Sequence, residues 1–173
     1  MADRVNALKE WTGLSNVTVL FDSMTNEFSH AGLFNTINGK SNVAVIGFTT
    51  DGDVFGGYYT LAETAQDNVV FDPTMFAFSF ESHGRCATPK KFVPKGTGSA
   101  RVWVHSDYAL GFMTFVGNAD GWFILGNERS TSACNRLSTG FEDLEDTTLT
   151  GNARVGDFLN PHHCCRLIAV QLV

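Results

Sequence analysis

Two apolar runs mirror each other across a two-residue turn signal, and this constrains the chain more than any other feature. The first, residues 43–48, reads Val43-Ala44-Val45-Ile46-Gly47-Phe48. The second, residues 54–60, reads Val54-Phe55-Gly56-Gly57-Tyr58-Tyr59-Thr60, and Asp51-Gly52 lies between them. Glycine reaches positive φ without steric penalty, so Asp-Gly between β-forming runs specifies a tight antiparallel hairpin. A nearly continuous apolar run also implies a strand covered on both faces, which places residues 43–48 centrally in a sheet.

The chain around this hairpin is mostly β in pattern. Val17-Thr18-Val19-Leu20-Phe21 is rich in β-branched residues, and Asp22-Ser23 closes it with turn chemistry. Residues 75–80 put Phe76, Phe78 and Phe80 on one face of a strand, and these faces are expected to fill the core. Further strands are predicted at 99–104, 110–115, 121–125 and 165–173. Helical spacing occurs twice, both times early. Val5, Leu8 and Trp11 recur at three-residue intervals in 3–11, with Asp3 as cap and Gly13 as stop. Phe28, Ala31, Phe34 and Ile37 form one stripe over 27–37, capped by Thr25 or Asn26 and ended by Asn38-Gly39. Residues 81–98 read as a Pro/Gly/Lys-rich loop, and 127–160 as a weakly periodic stretch of functional or packed loops, suited to a contact surface. The prediction is the α+β class: a two-sheet antiparallel β-sandwich flanked by short helices, one domain over 1–173.

Composition narrows the function classes. The net charge of -6 opposes binding to a phosphate backbone, so a nucleic-acid partner is not expected. The one basic concentration, Lys90, Lys91 and Lys95 beside Arg85, reads as a solvated loop. The first six residues carry no apolar run fit for a signal peptide, and no stretch is apolar enough to span a bilayer. A cytoplasmic or nuclear chain with reduced thiols is therefore expected.

Several segments together resemble the TLDc domain. They are Trp11, the strand end Leu20-Phe21-Asp22-Ser23, a helix with Phe28 and Phe34, the apolar run 43–48, and Asp51-Gly52-Asp53-Val54-Phe55-Gly56-Gly57-Tyr58. Later parts are similar too: Phe76-Ala77-Phe78-Ser79-Phe80, the Gly96-Thr97-Gly98 turn, Gly117-Asn118 with Trp122-Phe123-Ile124, Thr150-Gly151, and Arg166-Leu167-Ile168-Ala169-Val170. The resemblance spans about 11–173 and implies two antiparallel sheets, a link to oxidative-stress resistance, binding to the vacuolar proton-pumping ATPase, and no catalytic site. Phe21, Asp22, Ser23, Phe55, Gly56, Gly57 and Tyr58 carry the family signature and are expected to be structural. Gly56 and Gly57 would clear space for an approaching segment or serve a bulge at positive φ, with Phe55 and Tyr58 supplying apolar mass around them. One departure is plain. Where the family has an acid followed by an aromatic, this chain has Ala169-Val170-Gln171-Leu172, so a partner contact made through that acid does not carry over.

Chemistry-bearing residues are few. In His162-His163-Cys164-Cys165 neighbours on a strand face opposite ways, so at most two reach one ion, and Cys86, Cys134, His83 or His105 would have to supply the rest. The plainer reading is a turn at Pro161 entering a strand with two buried thiols. A small redox or thiol-dependent enzyme is the alternative. It would use Cys134, Cys164 or Cys165, with Arg136 near the first and His163 and Arg166 near the others to favour thiolates. No Gly-x-Ser-x-Gly elbow is present, Asp51-Gly52-Asp53 lacks the later acids of a calcium loop, and Glu142-Asp143-Leu144-Glu145-Asp146 reads as a solvated face suited to a basic partner. No catalytic, cofactor or metal residue is assigned. The expected function is non-catalytic protein binding, and a nucleic-acid-associated regulator is the remaining alternative.

Overall fold

The structure is a computed structural model that describes residues 2–96, 98–107, 109–118, 120–127, 129–130, 132–151 and 161–173. The elements run α1 (Ala2–Thr12), β1 (Val17–Asp22), α2 (His30–Ile37), β2 (Val43–Thr49), β3 (Val54–Tyr59), β4 (Val69–Phe71) and β5 (Phe76–Glu81). They continue with β6 (Lys90–Phe92), β7 (Arg101–Val104), β8 (Met113–Asn118), β9 (Gly121–Leu125), β10 (Cys134–Asn135), α3 (Leu137–Gly140) and β11 (Cys164–Leu172). Two antiparallel sheets result. One has the order β1-β11-β2-β3-β5-β6, the other β10-β9-β8-β7-β4. The predicted two-sheet α+β sandwich is what forms.

The β2–β3 hairpin sits in the middle of the larger sheet, in register from Val43↔Tyr59 to Phe48↔Val54. Gly52 takes φ +92 at the turn. Strict alternation then divides the side chains. Val43, Val45, Phe55, Tyr59, Ala77, Leu167 and Ala169 point between the sheets, where they meet Val102, Met113, Phe115, Phe123 and Leu125. Phe115 stacks on Phe123 at 5.1 Å between centroids, and Phe55 meets Phe123 edge-on at 5.7 Å. Burying rings in offset and edge contacts adds quadrupole attraction to the area term.

The other face of the larger sheet is covered by α1. Here Ala44, Ile46, Tyr58, Phe76, Phe78, Phe80 and Val170 pack with Leu8 and Trp11. The Phe76, Phe78 and Phe80 face therefore lies outside the sandwich, not in its inter-sheet core as the alternation alone suggests. Period two says which residues share a face and nothing about which layer covers it. Trp11 stacks on Phe80 at 5.8 Å and approaches Phe76 edge-on at 6.1 Å.

Other boundaries shift for local reasons. Helix α2 begins after Ser29, whose hydroxyl accepts from Gly32 N at 3.0 Å, so neither Thr25 nor Asn26 caps it. Its buried residues are His30, Leu33 and Ile37, and Ala31 is exposed. The stretch 81–98 contains β6, paired to β5. Lysines suit this short sheet edge because their charge discourages further strand pairing. In the weakly periodic stretch, β10 and α3 form, and Leu137, Phe141, Leu144 and Leu149 enter the core. Packed loops are what 134–151 provides. Residues 152–160 and Thr97 of the Gly96-Thr97-Gly98 turn lie outside the described residues. No helix among the described residues is long and apolar enough to cross a membrane.

Candidate functional site

The signature residues first resolve into structural parts. Asp22 ends β1 and takes Arg166 of β11 in a two-pronged pair, Nε to Oδ1 at 2.9 Å and Nη2 to Oδ2 at 2.5 Å. The Arg166 bond is the main cause that holds the Asp22 carboxyl below its ordinary range, with the Met24 amide also donating to it. Ser23 completes the clamp: its hydroxyl accepts from Leu167 N at 3.0 Å, and its own N–H donates to Leu167 O at 2.9 Å. Phe21 is fully buried in the inter-sheet core, as is Phe55.

The glycine pair clears space on both faces of β3. A Cβ on Gly56 would stand 1.9 Å from Val45 O and 2.9 Å from the Phe78 ring. One on Gly57 would stand 2.3 Å from the Phe115 ring. Close approach is thus the reason for both glycines. Neither has positive φ, so the alternative reading through a left-handed bulge does not apply. Tyr58 lies on the α1 side and donates its hydroxyl to Asn42 Oδ1 at 3.1 Å.

Asp53, at the hairpin, is a second hub that local motifs did not suggest. Its buried carboxylate receives His83 Nδ1 at 2.9 Å and the guanidinium of Arg85. Arg85 also donates from Nε to Thr148 O at 3.1 Å, joining the hairpin to the turns at 147–151. The pairing spans 32 residues of sequence, and only the sheet brings the partners together.

The basic residues do not make one patch. Lys91 reaches Trp11 O at 3.3 Å and lies over Phe76, and Lys95 reaches Ser138 O at 2.7 Å. Arg85 is committed to Asp53. In the acidic run, Asp146 accepts from Ser138 N at 2.8 Å and Leu144 is buried, so only part of it is a solvated face.

The thiols separate by environment. Cys134 and Cys164 are buried, and burial pushes each thiol up to about 12. Cys165 is exposed, which corrects the expectation of two buried thiols. Strand alternation puts one cysteine inward and the next outward. Of the cations expected beside them, Arg136 pairs with Asp120 at 3.2 Å, and Arg166 pairs with Asp22 while still interacting electrostatically with Cys165.

One groove gathers the remaining accessible chemistry. It encloses about 690 Å³ where the start of α2, the β2–β3 turn, the 127–130 turn and the start of β11 meet. Glu27, Phe28, His30, Arg129, His163 and Cys165 are among the residues that line it. His30 Nε2 lies 3.1 Å from Leu110 O and 3.2 Å from Gly111 O, and since both are carbonyls this nitrogen carries the proton. His163 Nδ1 contacts Asn127 O at 3.3 Å, and Cys165 donates to Phe48 O at 3.3 Å. The groove is of a size that takes a peptide segment or small ligand. Its mixed lining, with an acid, a guanidinium, an imidazole and an aromatic ring, suits polar recognition. Among the described residues no group of three or more His, Cys, Asp or Glu is placed to hold a metal ion. No known family's sequence profile matches the chain, and no curated protein matches it.

Proposed function

We propose that this chain is a non-catalytic, TLDc-type protein-interaction domain that acts in stress response or in regulation of the vacuolar proton-pumping ATPase. The observation that carries this reading is the use made of the signature acid and glycines. Asp22 is spent on a clamp between β1 and β11, and Gly56 and Gly57 on close packing. These are the uses of a rigid scaffold, and a rigid sandwich presents loops for recognition. The groove beside His30, Arg129 and His163 is the surface to which recognition is assigned. Its acid, Glu27, and its guanidinium, Arg129, offer paired contacts to a polar protein segment.

The test is a pull-down from native lysate with the tagged chain, alongside an Arg129→Glu, His163→Glu variant. Enrichment of vacuolar ATPase subunits by the parent and their loss with the variant is the expected result. Equal recovery by both would remove the groove from the reading. No ATPase subunit under several salt and nucleotide conditions would remove the pump.

A thiol-dependent role is the second reading. It is favoured by one observation, the exposed Cys165 in a groove that also holds His163 and Arg129. A peroxidase or disulfide-exchange activity lost in Cys165→Ser would bring it forward. The nucleic-acid reading has less support, since the lysines are dispersed among separate partners.

A further inference from the structure

Two carboxyl groups lie close together in the connection between β3 and β5, and their surroundings are opposite. Asp72 is fully buried and accepts hydrogen bonds from five donor atoms. The donors are Thr60 N at 2.5 Å, Thr60 Oγ1 at 3.0 Å, Leu61 N at 3.1 Å, Thr74 N at 3.0 Å and Thr74 Oγ1 at 2.7 Å. These donors favour the ionised form against the cost of burial. Glu63 is equally buried, yet among the described residues neither of its carboxyl oxygens has a hydrogen-bond partner. The titratable groups that interact with it are Tyr59 from β3 and Asp72 from the turn after β4. The Tyr59 hydroxyl is itself buried and unpartnered among the described residues. The end of α2 contributes the Gly39 N–H, which donates to the backbone carbonyl of Glu63 at 2.7 Å.

We propose that the Glu63 carboxyl is a proton-held latch: bound to its proton it keeps the 60–72 connection seated against the end of α2, and ionisation releases that connection. An ionised carboxylate with no donor, buried beside a second carboxylate, is strongly unfavourable. The neutral acid avoids both penalties. Burial first, and the Asp72 charge second, push the Glu63 carboxyl up to about 8.

The sign follows from linkage. Glu63 titrates higher in the folded chain than in the unfolded one, so folding favours its protonated form. That contribution is complete below the unfolded value of 4.5 and is lost as pH rises towards about 8. Across that window this group alone lowers the folding constant about tenfold per pH unit.

Carbon-13 NMR of the Glu63 carboxyl, titrated from pH 4 to 9.5 in the intact chain, tests the latch directly. A midpoint near 8 is expected, and one between 4 and 5 overturns it. Amide exchange at Gly39, corrected for intrinsic rates, reads the release. Its protection should fall about tenfold per pH unit from pH 6 to 8 in the parent and lose that slope in Glu63→Gln. The same slope in both would overturn the assignment to Glu63. Should Glu63→Gln fail to fold, the carboxyl titration of the parent still decides.

Discussion

Arg166 and Asp22 form a pair that is only partly shielded, with side chains 33 % and 18 % exposed. Water screens such a pair, so its loss should cost about 1 kcal/mol rather than the several expected of a buried one. Arg166→Leu is therefore predicted to lower stability by about 1 kcal/mol in denaturant unfolding at pH 7. The pH dependence has a definite direction. The Asp22 carboxyl titrates below its ordinary value of 3.8 in the fold, so its contribution is present above that value and is lost on further acidification. Arg166→Leu should show a shallower loss of stability below pH 4 than the parent. At the same scale, accessibility ranks the thiols. A maleimide should modify exposed Cys165 first, half-buried Cys86 next, and buried Cys134 and Cys164 only on unfolding. Cys165→Ser should abolish the fast phase in intact mass spectra, and fast labelling of Cys134 or Cys164 would contradict the packing described.

At the scale of elements, β3 is the strand with least freedom. Gly57→Ala forces a methyl group to within 2.3 Å of the Phe115 ring, and overpacking of this kind costs about 1–3 kcal/mol or more. Combining it with Phe115→Leu should recover part of that loss, because the smaller side chain gives way. Additive losses in the double mutant would mean that the clash is relieved elsewhere. Helix α1 should respond differently. Trp11→Ala removes the ring stacked on Phe80 and should cost about 3 kcal/mol, with the helix loosened ahead of the sheets. The hairpin, the clamp strand and α1 were legible in the sequence because their signals are local: Asp51-Gly52, a β-branched run, and a three-residue apolar spacing. Ser29 as the α2 cap was missed because Thr25 and Asn26 offer the same chemistry nearby. Strand β6 was hidden by Pro, Gly and Lys, which suit an exposed edge as well as a loop.

For the whole molecule, what escaped the sequence is long-range pairing. Nothing local announces that Asp53 meets Arg85 across the sheet, that Phe76, Phe78 and Phe80 lie beneath α1, or that Glu63 is sealed beside Asp72. Alternation separates inward from outward, and topology then decides what lies on each side. The groove was partly legible. His163 and Cys165 stood out as a cluster, but Glu27, His30 and Arg129 join them only through the meeting of α2, the 127–130 turn and β11. We propose that the groove end of the sandwich binds a protein partner. Biolayer interferometry of the immobilised chain against purified vacuolar ATPase tests it most directly, with Arg129→Glu, His163→Glu as the comparison. Saturable binding that the double variant weakens at least tenfold is the result predicted. No binding by the parent, or equal binding by both with the fold intact, would contradict it.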